Sequence, residues 1–168
     1  MEIMNVIKRI MQYNIDYMRV TNEDDYKFME ECCISEDFSK YITDENVNYD
    51  DYLIIRRGNN DIGICNLKIY EKMGVKSARP IIFIARRKSI DSFMAITSVV
   101  YHLFRHENIQ RLELWVYNNN SQMLSIANSG IFKYEGGIKY CRKIDDIFIG
   151  MSFYSILKRE FDLLIESN

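Results

Sequence analysis

Three adjacent cations, Arg86, Arg87 and Lys88, stand with Ser89 and Ser92 at the entrance to the most clearly helical segment of the chain. A helix N-terminus presents unpaired backbone N–H groups and a partial positive charge, so phosphate binds there without a dedicated side chain. Arginine, lysine and serine strengthen such a site through charge-assisted hydrogen bonds. The chemistry on offer is phosphate binding, although the same residues also make an ordinary solvated turn. A second stretch runs from Ile109 to Gly136. Leu112, Leu114 and Val116 alternate there with Arg111, Glu113, Trp115 and Tyr117, the period of a strand with unlike faces. Asn118, Asn119 and Asn120 break the alternation, because asparagine tolerates turn dihedrals and its amide bonds to nearby backbone. Met123, Leu124, Ile126 and Ala127 follow at helical spacing, with Gly130 as a stop. Reactive chemistry is expected where this strand gives way to the helix.

The elements that must hold these residues alternate along the chain. Phe93, Ile96, Thr97, Val100, Leu103 and Phe104 recur at three- and four-residue intervals and predict a helix from Asp91 to His106 with one apolar stripe. The apolar run Ile81 to Ala85 before it suits a buried central strand. Tyr52 to Arg57 and Ile62 to Tyr70 are strand-like and flank Gly58-Asn59-Asn60-Asp61, which predicts a hairpin, with a loop around Gly74 to Pro80. Tyr17 to Val20 reads as a short strand, and Thr21 with Asp24 as a capping-box-like start for a helix from Asp25 to Cys33. A second helical piece is expected near Glu36 to Ile42, and Gly136-Gly137 predict a bulge or bend in a later strand. Met1 to Tyr13 is amphipathic with Lys8 and Arg9 inside the pattern, which reads as a surface-packed helix or a dimer contact rather than a signal peptide.

Composition narrows the function classes. A chain of 168 residues with 48% hydrophobic and 13% aromatic content fits one folded core, so residues 1–168 are read as a single domain with a helical extension at 1–14. Lys plus Arg total 22 against 24 Asp plus Glu, and a formal charge of -2 supplies no global attraction to nucleic acid or anionic membrane. The longest apolar runs fall far short of the roughly 20 residues that span a bilayer. Cys32, Cys33, Cys65 and Cys141 lack zinc-ribbon spacing and read as reduced thiols of a cytoplasmic protein. His102 and His106 share a helix face, but no third ligand lies at a compelling spacing, so no metal is expected.

From about Asp16 to Phe161 the order of elements resembles the GNAT superfamily of acetyl-CoA-dependent N-acetyltransferases, and the second half resembles its branch of ribosomal-protein N-terminal and amino-sugar acetyltransferases. The resemblance rests on Ile81 to Ala85, Arg86 to Asp91 and Ser92 to Phe104, then on Leu112 to Val116, Asn119, Ser121 to Ser129 and Gly130-Ile131-Phe132. Lys133-Tyr134-Glu135-Gly136 and a closing strand ending in Ile156-Leu157-Lys158-Arg159-Glu160-Phe161 extend it. It implies an α/β (α+β) GNAT fold: a central mixed, mostly antiparallel sheet of about six or seven strands flanked by helices. It also implies acetyl-CoA as co-substrate and direct attack on the thioester by an amine, either a small molecule or a protein N-terminus.

Carried over position by position, the resemblance places the coenzyme at Phe83, Ile84, Arg86, Arg87, Lys88, Ser89, Ile90, Asp91, Ser92, Asn119 and Gln122. The acyl carbonyl would lie at a splay between Phe83-Ile84 and Trp115-Val116, where backbone N–H groups stabilise the oxyanion. Glu113 is the first candidate for the base; Ser121, Gln122 and Ser125 are the polar positions near the expected acid, with Ser125 the candidate for protonating the thiolate and Tyr117 and Tyr140 in reserve. Two departures stand out. The family turn is Arg/Gln-x-x-Gly-x-Gly/Ala, whereas Arg87-Lys88-Ser89-Ile90-Asp91-Ser92 has no glycine, and Ile126 occupies the place where many relatives have a tyrosine acid. These departures also fit a GNAT-like module without catalysis, and the amphipathic N-terminus fits a homodimerising subunit. Glu23, Asp24, Asp25, Glu30, Glu31, Glu36 and Asp37 make the first half acidic, which would suit a cationic amine as well as it suits two solvated helices.

Overall fold

The structure is a computed structural model that describes residues 15–36, 38, 51–85 and 89–166, with the side chains of 89–91 left aside. The expected N-terminal helix, most of the helix near Glu36 to Ile42, and the cations Arg86, Arg87 and Lys88 lie outside the described residues. Within them the elements run β1 Ile15–Arg19, α1 Glu23–Cys33, β2 Leu53–Arg57, β3 Asn60–Asn66, β4 Ile69–Lys72, β5 Val75–Ala78 and β6 Ile81–Ile84. They continue with α2 Ser89–Arg105, β7 Arg111–Tyr117, α3 Ser121–Ala127, β8 Lys133–Ile144, β9 Ile147–Leu157 and α4 Lys158–Glu166. The mixed α and β class is the expected one, but the strands pair as two sheets, β1-β2-β3-β6 and β4-β5-β7-β9-β8. The chain divides into two compact units: one holds the described residues up to Lys68 with Pro80–His102, the other Ile69–Arg79 with the residues from Leu103 onward. None of the described helices is long and apolar enough to cross a membrane.

In the first unit β2 and β3 form the predicted hairpin around Gly58, whose φ of 58° is left-handed and suits glycine. Gly63 lets β6 close on β3, because a Cβ there would stand 2.2 Å from the Phe83 carbonyl oxygen. Helix α1 starts earlier than predicted and on a different pair. Asn22 Oδ1 accepts from the Asp25 N–H at 2.9 Å, while Asp25 Oδ2 accepts from Thr21 N and Oγ1 at 3.0 and 3.1 Å. Met29 and Cys32 on its inner face join Phe38, Tyr52, Ile54, Ile64 and Phe83 in a buried apolar cluster. Strand β6 is not the buried central strand expected: it ends its hydrogen-bonded order, and Phe83 is its one buried residue. Helix α2 likewise exceeds its single stripe, since Ser92 and every residue from Met94 to Val100 are buried. Thr97 satisfies its hydroxyl within the helix by donating to the Phe93 carbonyl at 2.8 Å.

Further along the chain three expectations are corrected. The run Ile62 to Tyr70 is not one strand: β3 stops at Asn66, whose Oδ1 accepts from Lys68 N at 3.0 Å, and Lys68 turns the chain with a φ of 39°. The stretch read as a loop is the hairpin β4–β5, closed by Met73 and Gly74 at φ 55° and 77°. Strand β5 runs parallel to β7, with Ser77 opposite Arg111 and Ala78 opposite Leu112. Strand β7 pairs antiparallel with β9, and β9 with β8. The Gly136-Gly137 bulge is present: the register slips between Tyr134 and Gly136, and Gly136 adopts a φ of 148°. The closing strand ends at Leu157, because Glu160 Oε2 accepts from Leu157 N at 3.0 Å and starts α4, the helical half of a capping box. Leu112, Leu114, Val116, Tyr154 and Ile156 are buried, and Phe104 stacks on Phe161 at 4.8 Å.

Candidate functional site

Some of the residues expected to contact coenzyme are described. At the end of β6, Phe83 is buried and Ile84 half-buried, and Ala85 N donates to the Ile62 carbonyl at 2.9 Å. The chain then enters α2 at Ser89, two residues before Asp91, so the helix N-terminus coincides with the serine of the basic turn. Ser92 is buried in the first turn. Among the described residues no group of three His, Cys, Asp or Glu could hold a metal ion, and the His102 ring packs on Tyr17 at 5.3 Å. Burial pushes the Cys32 and Cys65 thiols up to about 12 and Cys33 up to about 11, which removes them as nucleophiles near neutral pH.

The asparagine corner forms as the sequence implies, with the three amides divided between tasks. Asn120 Oδ1 caps α3 by accepting from Met123 N at 3.1 Å. Asn118 N donates to the Gly150 carbonyl at 2.9 Å, and its Oδ1 accepts from Ser152 Oγ at 2.8 Å, so Asn118 ties the end of β7 to β9. Asn119, between them, is exposed. On α3, Gln122 is half-buried, Ser125 is exposed, and Ile126 is buried. Tyr117 is also buried, with the Arg142 guanidinium 5.7 Å from its ring centroid. Glu113 and Tyr117 occupy the same face of β7 four residues apart, roughly 13 Å by strand rise, so they do not meet at one proton.

Glu113 sits in a network that sequence reasoning did not assemble. Arg111 Nε donates to Glu113 Oε1 at 2.9 Å, and Trp115 Nε1 donates to Oε2 at 3.2 Å. Tyr70 hydrogen-bonds the same carboxylate; its own burial, then the charge of Glu113 and that hydrogen bond, hold the Tyr70 phenol above its ordinary range. Arg111 Nη2 also donates to Glu135, which accepts in addition from Ser155 Oγ. The hydrogen bond from Arg111, then that from Ser155, keep Glu135 below the usual carboxylate range although burial opposes them. Arg79 covers Trp115, with its guanidinium carbon 4.0 Å from the ring centroid, and Phe153 meets the ring at 5.1 Å. Tyr70 and Arg79 were missed because β4 and β5 read as the tail of a strand and a loop. Their signal was the Met73-Gly74 turn between short runs of alternating character.

Comparison with known proteins adds the architecture. No protein-family model matches the sequence, and no curated protein matches it significantly. Solved structures do match. The spermidine N-acetyltransferase of Vibrio cholerae, solved with CoA and spermine, superposes with a TM-score of 0.73 over 90% of this chain and 98% of that one, at 15% identity. An acetyltransferase of Salmonella typhimurium that modifies the N-terminal serine of ribosomal protein L7/L12 gives 0.64 over 85% and 94%, at 12% identity. An aminoglycoside N(6')-acetyltransferase of Legionella pneumophila gives 0.67 over 89% and 95%, at 9% identity. Another match, from Bacillus anthracis, is described as a GNAT-family acetyltransferase and is 16% identical. The chain therefore has the fold of the GNAT acetyltransferases.

Proposed function

We propose that the chain is an acyl-CoA-dependent N-acetyltransferase that moves the acetyl group of acetyl-CoA to a primary amine, of a small molecule or a protein N-terminus. The observation that carries this reading is the extent of the fold match: 90% of this chain superposes on 98% of an N-acetyltransferase solved with CoA. In this reading the N–H groups of the first turn of α2, from Ser89 to Ser92, with Arg86, Arg87 and Lys88, bind the coenzyme pyrophosphate. Without a glycine in that turn, the backbone approaches the phosphates less closely and the three cations carry more of the binding. Phe83 and Ile84 of β6 are further candidates for coenzyme contact in the same unit, and Asn119 and Gln122 beyond β7 are the candidates in the other.

Acetyl transfer requires a neutral amine, whose nitrogen bonds to the thioester carbonyl carbon as the carbon–sulfur bond breaks. Glu113 already accepts from Arg111, Trp115 and Tyr70, which take up most of its acceptor positions and hold it in place beside the indole. Water is then the immediate acceptor of the amine proton, and Glu113 is a positioning residue that fixes Trp115. The departing thiolate needs a proton that Ile126 cannot supply; the Ser125 hydroxyl on α3, exposed and able to relay a proton from solvent, takes that role in this reading ahead of the buried Tyr117. Acceptor-dependent release of free thiol from acetyl-CoA, measured over polyamines, aminoglycosides and peptides with free N-termini, tests the reading. Turnover with one class and its reduction by Ser125→Ala are expected; no thiol release with any amine, by protein that binds acetyl-CoA, would overturn it.

A further inference from the structure

Two arginines on the Trp115 face of the second sheet use their guanidinium groups in different ways. Arg111 turns its donors on Glu113 and Glu135. Arg79 lies over Trp115, its guanidinium carbon 4.0 Å from the ring centroid. A guanidinium carries five N–H donors in a fork that matches a carboxylate or phosphate, and an aromatic ring beneath it supplies none of the oxygen acceptors that fork fits. Among the described residues no carboxylate lies within ion-pair distance of Arg79. The platform under it is itself fixed, since Trp115 Nε1 donates to Glu113, Arg111 holds Glu113, and Phe153 packs edge-on against the indole. Pro80 stiffens the backbone immediately after Arg79. Arg79 is thus a positioned cation with unmatched donors, over a tryptophan that is 47% exposed. The sign of the expected ligand follows from the same contacts. Both carboxylates of the face are already paired with Arg111, and a cationic ligand would have to displace Arg79 from the ring.

We propose that Arg79, laid on Trp115, binds an oxyanion, the carboxylate or phosphate of a ligand. Only the identity of that ligand rests on the acetyltransferase reading, in which the oxyanion belongs to the amine acceptor or to the 3′-phosphate of the coenzyme. Trp115 is the single tryptophan of the chain, so its fluorescence reports the site directly. The intact chain is titrated with inorganic phosphate, then with acetyl-CoA against its 3′-dephospho form, and with alanylalanine against its C-terminal amide. The expected result is a saturable change in Trp115 emission with phosphate or with the oxyanion-bearing member of a pair. Arg79→Ala should weaken it about tenfold or more, the scale of a lost charge-assisted hydrogen bond. Arg79→Lys should keep part of the affinity, and loss of an equal charge on β4 in Lys72→Ala should change nothing. Titration curves of Arg79→Ala that match the parent, or no response of the parent to any of these ligands, would overturn the proposal. Calorimetric binding of acetyl-CoA with no Arg79-dependent oxyanion response would remove this inference and leave the acetyltransferase reading. The reverse pattern would remove that reading and leave this inference.

Discussion

Each compact unit contains one arginine held between two carboxylates, and the two clusters serve different ends. In the first unit Arg56 Nη2 reaches Asp25 Oδ1 at 3.0 Å and its Nε reaches Asp61 Oδ1 at 2.6 Å. The Asp25 side chain is 3% exposed and also accepts two hydrogen bonds from Thr21 at the start of α1. In the second unit Arg111 bridges Glu113 and Glu135, whose side chains are 19% and 41% exposed. The first cluster closes on itself and anchors a helix to a strand. The second opens toward solvent through Trp115 and Tyr70. Burial decides between these roles: an ion pair out of water holds structure because breaking it strands a charge, whereas an exposed pair adds little stability and remains able to reorganise around a ligand.

Removing the first arginine should therefore have the largest effect. Arg56→Ala leaves Asp25 buried without its cation and should cost about 3 kcal/mol, read as a lower urea midpoint. A loss below about 1 kcal/mol would mean that Thr21 alone satisfies Asp25 and would dissolve the contrast. Acid unfolding sharpens the same point. Burial raises the Asp25 pKa, but the Thr21 and Arg56 hydrogen bonds outweigh it, so the folded value lies below the ordinary 3.8. Its stabilising contribution is then full above about 3.8 and disappears as pH falls through the depressed value. Urea midpoints measured from pH 5 down to about 2 should fall in the parent and fall less steeply in Arg56→Ala.

The second cluster should respond weakly in stability. Arg111→Ala is expected to cost about 1 kcal/mol, as partly exposed pairs do, while altering Trp115 fluorescence because Glu113 loses its anchor. A loss as large as that of Arg56→Ala would make this cluster structural too. Glu113→Gln is the mildest probe, since an amide oxygen can still accept from Arg111 or Trp115. Stability within about 0.5 kcal/mol of the parent and a retained Trp115 spectrum are expected, and a slower thiol-release rate with unchanged acetyl-CoA affinity would mark Glu113 as a positioning residue on the acceptor side.

Local signals made much of this legible in the sequence. The asparagine corner, the Gly136-Gly137 bulge and the long helix before Leu112 each follow from residues that act within a few positions of themselves. The break at Lys68 and the β4–β5 hairpin were hidden because Ile62 to Tyr70 contains no proline and its one glycine, Gly63, is needed for the approach of β6 rather than for a turn. The break depends instead on an asparagine amide folding back on Lys68 N and on a non-glycine residue at positive φ. Misreading that stretch also hid the site partners. Glu113 was found because alternation puts it on the face opposite Leu112 and Leu114, but Tyr70, Arg79, Glu135 and Ser155 reach that face from strands whose pairing no single-strand pattern encodes. Helix α2 was under-read for a related reason: Ser92 and Ser98 look solvent-facing by polarity and are buried.

The central claim is that the basic entrance to α2 holds the pyrophosphate of acetyl-CoA. Calorimetric titration of the purified protein with acetyl-CoA, repeated with Arg87→Ala and Lys88→Ala, tests it most directly. Saturable binding, weakened about tenfold by either substitution, is predicted from the loss of one charge-assisted contact to phosphate. Absence of binding by folded, monodisperse protein, or affinity indifferent to both substitutions, would contradict it.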